Sequence, residues 1–277
     1  MKLQKSDYDK LIDMALAEDL GDAGDVTTDS IFTEPKQEHY RLVAKEDGIL
    51  CGADIFTEVF AKLDKDCQVK FNFRDGDKLH NGDTVATVDG DVRTILKGER
   101  TALNFISHLS GVATKTSRFA AQSNGKLKIL DTRKTIPGLR YLQKYAVACG
   151  GGQNHRIGLF DMVLIKDNHI DAAGSIRAAV ENVRKMWGSK YKIEVETRNL
   201  DEVKQALDMK ADRIMLDNMP DDIMAEAVKL IDGRAEIEAS GNMTIDRIAP
   251  LSKIGIDFIS FGELTHTVKV FDFSLKK

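Results

Sequence analysis

From residue 128 onward, short apolar runs alternate with segments whose apolar residues recur at helical spacing. The apolar runs are KILDTRK, MVLIK, KIEVET, RIMLD, AEIEAS and DFISFG. Between them, segments such as NLDEVKQAL and PDDIMAEAVKLI have the period of amphipathic helices. This alternation predicts a parallel sheet covered by helices. Six successive units without a Gly-rich dinucleotide-binding motif favour an incomplete β/α barrel over an open doubly wound sheet.

The first third of the chain has a different rhythm. The segments HYRLVAKEDGILCG, CQVKFNFRDGDKL and DTVATVDGDVRTIL have strand-like patterns separated by Asp-Gly and Asn-Gly turns. They predict a small, mostly antiparallel sheet with helices packed on it. The segment GERTALNFISHLSGVATKTSRFAAQ then predicts a long helix that leads into the second domain. We therefore expect an N-terminal α/β sandwich domain over residues 1–110 and a barrel domain with the active site over residues 111–277, whose last residues pack back on the first domain.

Polar residues stand at the end of nearly every predicted strand of the second half. In chain order they are Asp131 with Arg133 and Lys134, Lys166, Glu196, Asp217, Ser240 with Gly241 and Asn242, and Gly262. The carboxyl ends of parallel barrel strands open onto one face, which carries the chemistry in such barrels. Any one of these residues alone is more often a strand-end cap or a surface charge. As a set, they predict one shared site.

The expected site has two electrical halves. Five side chains form its cationic part: Arg133, Lys134, His155, Arg156 and Lys166. Because crowded cations repel one another, they indicate an anionic ligand with more than one acidic group. Glu196 and Asp217 suit ribose hydroxyls, a divalent cation or a developing positive charge. The loops ASGN and SFGELTH have small residues that expose backbone N–H groups, and barrels commonly bind phosphate at this place.

Composition and absent motifs narrow the function. The formal net charge of −4 does not favour nucleic acid or anionic membranes, and no apolar run approaches the roughly 20 residues of a membrane span. Three cysteines without a CxxC pair and an N-terminus without a signal-peptide pattern indicate reduced thiols in a cytoplasmic protein. Neither a Gly-x-Ser-x-Gly nor an HExxH motif occurs, and His155 and His169 have no third zinc ligand near them in sequence.

Several motifs together resemble one enzyme family. They are ALAEDLG, GDVTT, GERTALNFISHLSGVAT, LDTRKTIPGLRYLQKYAVACGGGQNHR, VLIKDNHI, MLDNM, EASGN and LTH, spread over nearly the whole chain. The chain resembles quinolinate phosphoribosyltransferase, also called nicotinate-nucleotide pyrophosphorylase (carboxylating). The resemblance implies a type II phosphoribosyltransferase fold. It also implies an enzyme of NAD biosynthesis that joins quinolinate to 5-phosphoribosyl-1-pyrophosphate with Mg²⁺, giving nicotinate mononucleotide, pyrophosphate and carbon dioxide.

The same resemblance implies roles for individual residues. Lys134, Lys166, Glu196 and Asp217 would be catalytic, and Glu196 and Asp217 would face magnesium, directly or indirectly. Substrate binding would involve Arg100, Thr132, Arg133, Lys134, His155, Arg156, Lys166, Glu196, Asp217, Ser240, Gly241, Asn242, Phe261, Gly262 and Glu263. In the family, the arginine that matches Arg100 enters a neighbouring subunit's site, which implies a homodimer with shared active sites or a hexamer built from dimers.

Two features leave side-chain roles open. Phe261 and Glu263 stand where the family often has smaller residues, so Glu263 is expected to act through its backbone. His266 either contacts phosphate or packs. Three other functions remain open from the sequence: a homologue associated with molybdenum transport that lacks quinolinate activity, a Schiff-base lyase using Lys166, and a non-catalytic anion-binding module.

Overall fold

The computed structural model describes residues 2–123, 125 and 127–277. By its internal contacts the chain separates into two compact units. The first comprises Met1–Ser117, Thr135–Gly151 and Leu264–Lys277, and the second comprises Arg118–Lys134 and Gly152–Glu263. The first unit therefore includes two segments that lie beyond the predicted boundary at residues 110 and 111. That boundary stays a prediction.

The elements are numbered in chain order. The helices are α1 Asp9–Leu20, α2 Val26–Ile31, α3 Ala53–Leu63, α4 Val92–Gln122, α5 Arg140–Cys149, α6 Asp167–Ala173, α7 Ile176–Trp187, α8 Leu200–Asp208, α9 Asp221–Ile231, α10 Ile248–Ile254 and α11 Glu263–His266. The strands are β1 Gln37–Ala44, β2 Gly48–Ile49, β3 Gln68–Phe71, β4 Lys78–Leu79, β5 Thr84–Asp91, β6 Lys128–Leu130, β7 Val163–Ile165, β8 Ile193–Thr197, β9 Arg213–Asp217, β10 Glu236–Ser240, β11 Phe258–Ser260 and β12 Phe273–Lys276.

The first unit contains an antiparallel sheet of four strands in the order β12-β1-β5-β3. Its outer strand β12 comes from the end of the chain and pairs with β1. Helix α3 covers this sheet: Phe56 is fully buried, and its ring meets the edge of the Phe71 ring from β3 at a centroid distance of 5.7 Å. Burial of such aromatic rings stabilises a small domain by about 1.5–3 kcal/mol per side chain.

One predicted strand in this unit ends earlier than its pattern indicates. The apolar alternation runs through residues 83–96, but β5 ends at Asp91 and α4 begins at Val92. The Asp91 carboxylate accepts the backbone N–H of Arg93 at 2.8 Å, which satisfies one of the donors left free at a helix start. Residues 92–96 are thus the first turn of α4 and not a strand.

The second unit is a parallel sheet of six strands in the order β6-β11-β10-β9-β8-β7. All six strands match the apolar runs identified in the sequence, so the predicted strand and helix alternation is confirmed. Strand register places Ser240 of β10 directly beside Asp217 of β9, at the carboxyl ends of both strands. Among the described residues, no pairing joins β6 to β7. The barrel is therefore incomplete, as expected, and its strand ends share one side.

None of the helices in the described part of the chain combines the length and apolar character that a membrane crossing needs.

Candidate active site

A cavity of about 540 Å³ opens at the carboxyl ends of the six parallel strands. Its lining residues are Thr132, Arg133, Lys134, His155, Arg156, Leu164, Lys166, Glu196, Met215, Asp217, Asn218, Glu238, Ser240, Gly241, Asn242 and Ser260. Its volume lies within the range of small-molecule sites, about 300–1,000 Å³. Eleven of the sixteen lining residues were predicted as site residues from the sequence.

Two arginines of the cavity, Arg133 and Arg156, lie close enough to repel each other. Among the described residues, neither Arg133 nor Arg156 forms a salt bridge, and Arg156 donates from Nη1 to the backbone oxygen of Met162 at 3.2 Å. Burial, and next the charge of Arg133, lower the pKa of Arg156. Two cations that repel each other in a concave site destabilise the empty protein. An anion that enters between them relieves this cost.

Lys166 is the first residue after β7. Its Nζ is 3.3 Å from Oε2 of Glu196, and its side chain is 46% exposed while that of Glu196 is 11% exposed. Burial raises the pKa of Glu196, and the negative charge of Asp217 raises it further, whereas Lys166 opposes this rise. Lys166 is therefore a movable cation beside a pair of acidic side chains.

The small residues after β10 form a tight turn. Gly241 has φ +84°, and a Cβ atom at this position would lie 2.4 Å from the side-chain amide of Asn218. Asn218 donates from Nδ2 to Asp217 at 2.8 Å and accepts from Nδ2 of Asn242 at 3.0 Å. The chain Asp217–Asn218–Asn242 thus holds this loop at the cavity, and glycine is required for its closest approach.

The floor of the cavity is a charged and largely buried cluster made of His155, Glu194, Arg213 and Glu238, of which His155 and Glu238 line the cavity. His155 Nε2 is 3.0 Å from Glu194 and 3.4 Å from Glu238, and both glutamate side chains are 0% exposed. Nη1 of Arg213 lies 3.2 Å from Glu238. Buried charges persist only when opposite charges compensate them, and this cluster supplies its own counter-charges.

Two effects oppose each other at His155. Burial lowers its pKa, but the hydrogen bonds and charges of Glu194 and Glu238 outweigh burial and raise its pKa to about 9. Nδ1 accepts the backbone N–H of Arg156 at 2.7 Å, which favours the neutral ring with its proton on Nε2. In either form Nε2 carries a hydrogen, and this nitrogen lies 3.0 Å from Oε2 of Glu194. His155 lines the cavity, and its role in substrate binding stays a prediction.

The buried glutamates could have been predicted from the alternation of side chains along the strands, which the analysis of strand ends did not consider. Side chains alternate across a strand, so Glu194 and Glu196 of β8 share one face, as do Glu238 and Ser240 of β10. The interior of the barrel is that face. Glu194 and Glu238 each lie two residues before a predicted site residue on the same face, which indicates a charged floor under the site. Arg213, the first residue of β9, lies beside Glu194 in the strand register.

Several predicted site residues lie outside the cavity lining. Phe261 is 2% exposed: its ring packs edge-on against Phe119 at 4.9 Å, and its N–H donates to the oxygen of Leu130. Phe261 does not line the cavity, and its role at the phosphate end stays a prediction. Gly262, Glu263 and Arg100 also lie outside the lining. His266 is exposed, with Nδ1 2.7 Å from Thr267 Oγ1.

Comparison of the chain with known protein families agrees with a ligand site at the strand ends. The profile of the family "Quinolinate phosphoribosyl transferase, C-terminal domain" matches residues 112–276, and that of its N-terminal domain matches residues 25–110. The chain belongs to the quinolinate phosphoribosyltransferase family. The resemblance inferred from the sequence motifs is thereby confirmed.

Individual relatives are similar over nearly their full length. The chain is 43% identical to the "Probable nicotinate-nucleotide pyrophosphorylase [carboxylating]" of Bacillus subtilis, over 96% of this chain and 92% of that protein. It is also 43% identical to the chloroplastic "Nicotinate-nucleotide pyrophosphorylase [carboxylating]" of Arabidopsis thaliana, over 98% of this chain and 82% of that protein. The solved structure of the nicotinate-nucleotide pyrophosphorylase from Francisella tularensis superposes with a TM-score of 0.95 at 43% identity, covering 99% of this chain and 97% of that one. The predicted fold class is confirmed.

Proposed function

We propose that this chain transfers the phosphoribosyl group of 5-phosphoribosyl-1-pyrophosphate to quinolinate with loss of carbon dioxide, forming nicotinate mononucleotide for NAD biosynthesis. Membership of the family supports the reaction, since the relatives named above are nicotinate-nucleotide pyrophosphorylases. One observation of the site carries the proposal: Arg133 and Arg156 line one cavity and neither forms a salt bridge among the described residues, which leaves two positive charges for a ligand. Quinolinate has two carboxylates that fit this excess.

The chemistry needs little from the protein beyond binding and electrostatics. The pyridine nitrogen attacks C1 of the ribose with its own lone pair, and the bond from C1 to the pyrophosphate oxygen breaks. No proton leaves the nucleophile, so no general base is required at this step. Positive charge develops at C1, and an acidic side chain such as Glu196 or Asp217 stabilises it when it lies near that carbon. The bond between ring C2 and its carboxylate then breaks and carbon dioxide leaves. The electron pair stays on C2 beside the positive ring nitrogen, C2 takes a proton from water, and one carboxylate remains on the pyridine ring.

Magnesium is part of the proposal. Glu196 and Asp217 both offer carboxylate oxygens, and the negative charge of Asp217 contributes to the raised pKa of Glu196. Two neighbouring carboxylates of this kind attract a divalent cation. Mg²⁺ usually takes one or two protein carboxylates and completes its shell with water and substrate phosphates. Bound there, the ion would neutralise the pyrophosphate. Asn218 would hold the Asp217 carboxylate in place through its 2.8 Å hydrogen bond.

The alternative of a Schiff-base lyase on Lys166 is disfavoured by its surroundings. Schiff-base formation needs the neutral amine, and the 3.3 Å contact with Glu196 stabilises the charged ammonium. Borohydride treatment with a carbonyl substrate should therefore leave Lys166 unmodified. A stable adduct on Lys166 would favour the lyase.

The proposed role of Arg100 depends on the protein forming an oligomer. It is an exposed residue of α4 and lies outside the cavity lining. We propose that it completes the site of a second copy, in a homodimer or in a hexamer of dimers. Arg100→Ala and Lys166→Ala proteins, each inactive, should regain partial activity when unfolded together and refolded as mixed oligomers. Mixed oligomers of confirmed composition that stay inactive would contradict a shared site.

A cytoplasmic location also stays a prediction.

The test of the reaction is release of labelled carbon dioxide. Quinolinate labelled at the 2-carboxylate should release its label only when the purified protein, 5-phosphoribosyl-1-pyrophosphate and Mg²⁺ are all present. Arg133→Ala should abolish release, while Lys229→Ala, which removes an exposed lysine of α9 that does not line the cavity, should leave it unchanged. No release from the wild-type protein would refute the activity and favour the molybdenum-transport homologue. Quinolinate binding without release would favour a binding module.

A further inference from the structure

Two cysteines that are distant in sequence meet in the first unit. The sulfurs of Cys51 and Cys149 and a carboxylate oxygen of Asp75 all lie within 4.8 Å of one another. Cys51 follows β2 and is fully buried, whereas Cys149 is the last residue of α5 and is partly exposed. The third cysteine, Cys67, is a buried free thiol and does not belong to this group.

Asp75 fixes the two cysteines relative to each other. Its carboxylate accepts the backbone N–H of Gly52 at 3.0 Å and that of Ala53 at 3.1 Å, which are the two residues after Cys51. It also accepts Oη–H of Tyr145 at 2.9 Å. Tyr145 lies four residues before Cys149 on α5, so both side chains project from the same face of that helix. One carboxylate therefore joins the Cys51 loop to the Cys149 helix.

The backbone of Cys51 is held from the other side as well. Its N–H donates to Ser110 Oγ at 2.9 Å, and the same hydroxyl is 3.2 Å from its carbonyl oxygen. Cys51 is thus the rigid partner. Cys149, at the end of its helix, is the partly exposed partner.

A metal ion explains this cluster poorly. A structural zinc site needs four ligands, usually cysteine and histidine. Here only two sulfurs are present, and three hydrogen bonds already occupy the Asp75 carboxylate. The geometry is better suited to a bond between the sulfurs, which must approach to about 2.0 Å.

We propose that Cys51 and Cys149 are a redox-active pair that hydrogen peroxide converts into an intramolecular disulfide. Cys149 Sγ, as thiolate, attacks one peroxide oxygen; the O–O bond breaks, hydroxide leaves and takes a proton to become water, and Cys149 becomes a sulfenic acid. Cys51 Sγ then attacks the sulfenic sulfur, the S–O bond breaks, and the hydroxyl leaves as water with the Cys51 thiol proton. Two thiols are oxidised by two electrons in total, and one peroxide is reduced to two waters.

The protonation chemistry agrees with these roles. The hydrogen bond from the Cys51 thiol lowers the pKa of Cys149, although burial opposes this effect. Burial raises the pKa of Cys51 well above its ordinary value. The more exposed sulfur is therefore the better nucleophile, and the buried sulfur keeps its proton until the second step. Burial also raises the pKa of Cys67, to about 11, which makes it the matched unreactive cysteine.

The experiment treats the folded, reduced protein with hydrogen peroxide, blocks the remaining thiols, and maps peptides without reduction. The expected result is a linked pair of peptides containing Cys51 and Cys149, a mass loss of about 2 Da per chain through the two lost hydrogens, alkylated Cys67, and reversal by dithiothreitol. Cys67→Ser should react like the wild type. Cys51→Ser should accumulate a sulfenic acid on Cys149 that dimedone traps. Asp75→Asn should form the bond several-fold more slowly, because the clamp is weakened.

Three outcomes would overturn the proposal. The first is quantitative alkylation of Cys149 after a peroxide dose that oxidises a low-pKa reference thiol. The second is a disulfide only between chains or through Cys67. The third is one tightly bound Zn²⁺ per chain that is lost in Cys149→Ser, which would assign the cluster to a metal. Should Cys51→Ser fail to fold, Cys149→Ser, altered at the helix end, decides the same question, since it must abolish the linked peptide.

Discussion

The rim and the floor of the cavity have similar numbers of charges but use them differently. At the floor, Glu194 and Glu238 are fully buried and meet His155 and Arg213 at 3.0–3.4 Å. At the rim, Arg133 and Arg156 form no salt bridge within the described residues, and Lys166 is half exposed. At the floor, His155 and Arg213 are the counter-charges of the buried glutamates, so the floor supports the barrel. At the rim, Arg133 and Arg156 have no such counter-charge in the described part of the chain, so they are available to a ligand.

Removing one charge from the floor is the first test of this difference between floor and rim. Glu238→Ala should lower the free energy of unfolding by about 3–5 kcal/mol, because it removes the buried carboxylate that lies 3.4 Å from His155 and 3.2 Å from Arg213. Chemical denaturation measures this effect. The exposed pair of Lys204 and Asp201, 3.1 Å apart, is the control: Lys204→Ala should cost less than about 1 kcal/mol. Equal costs at both places would show that the floor is not a compensated cluster.

A charge removed from the rim should affect binding and leave folding unchanged. Lys166→Ala should weaken quinolinate binding by about 2–5 kcal/mol, since a desolvated carboxylate then lacks its partner. Its free energy of unfolding should stay within about 0.5 kcal/mol of the wild type, because Lys166 is half exposed. Titration calorimetry and denaturation on the same protein separate the two quantities. Unchanged affinity would remove Lys166 from the binding role.

The floor should also make stability depend on pH. The pKa of His155 is raised to about 9 from an ordinary 6.5, and that of Glu194 to about 7 from 4.5. Burial and the charge of Glu238 cause the second shift. A raised pKa means that the folded state holds the proton longer, so stability falls as pH rises, from about 4.5 to 7 through Glu194 and from 6.5 to 9 through His155.

The loss through His155 amounts to at most about 3 kcal/mol. Unfolding measured between pH 6.5 and 9 should show this fall, and Glu194→Gln should reduce it, because that variant removes one of the carboxylates that raise the pKa of His155. A flat profile would mean that His155 stays neutral, as its contact with the Arg156 amide favours.

The smallest expected effect concerns the loop after β10. Gly241→Ala places a Cβ atom 2.4 Å from the Asn218 amide at φ +84°, so the loop must shift. The strain costs about 1–2 kcal/mol. Apparent affinity for 5-phosphoribosyl-1-pyrophosphate should fall more than affinity for quinolinate. Gly174→Ala is the control, because Gly174 has φ +87° but nothing within 4 Å of its Cβ position.

Strand periodicity predicted the second unit well because apolar burial on both faces leaves few alternatives. All six strands and the polar residues at their ends could be read from the sequence. The floor could not, because an ion pair such as His155 with Glu194 joins residues that only barrel closure brings together. For the same reason Cys51 and Cys149 seemed unrelated in sequence. The packing of the Phe261 ring against Phe119 could not be predicted either, because a loop position predicts proximity to a site and not the direction of the side chain.

The central claim is that the rim binds a molecule with two acidic groups, and a comparison of ligands tests it most directly. Titration calorimetry with quinolinate and with nicotinate, which lacks the 2-carboxylate, measures what the second acidic group contributes. A charge-assisted hydrogen bond contributes about 1.5–3 kcal/mol, so quinolinate should bind at least about tenfold more tightly. Equal affinity for the two compounds, in wild type and in Arg133→Ala alike, would contradict the account.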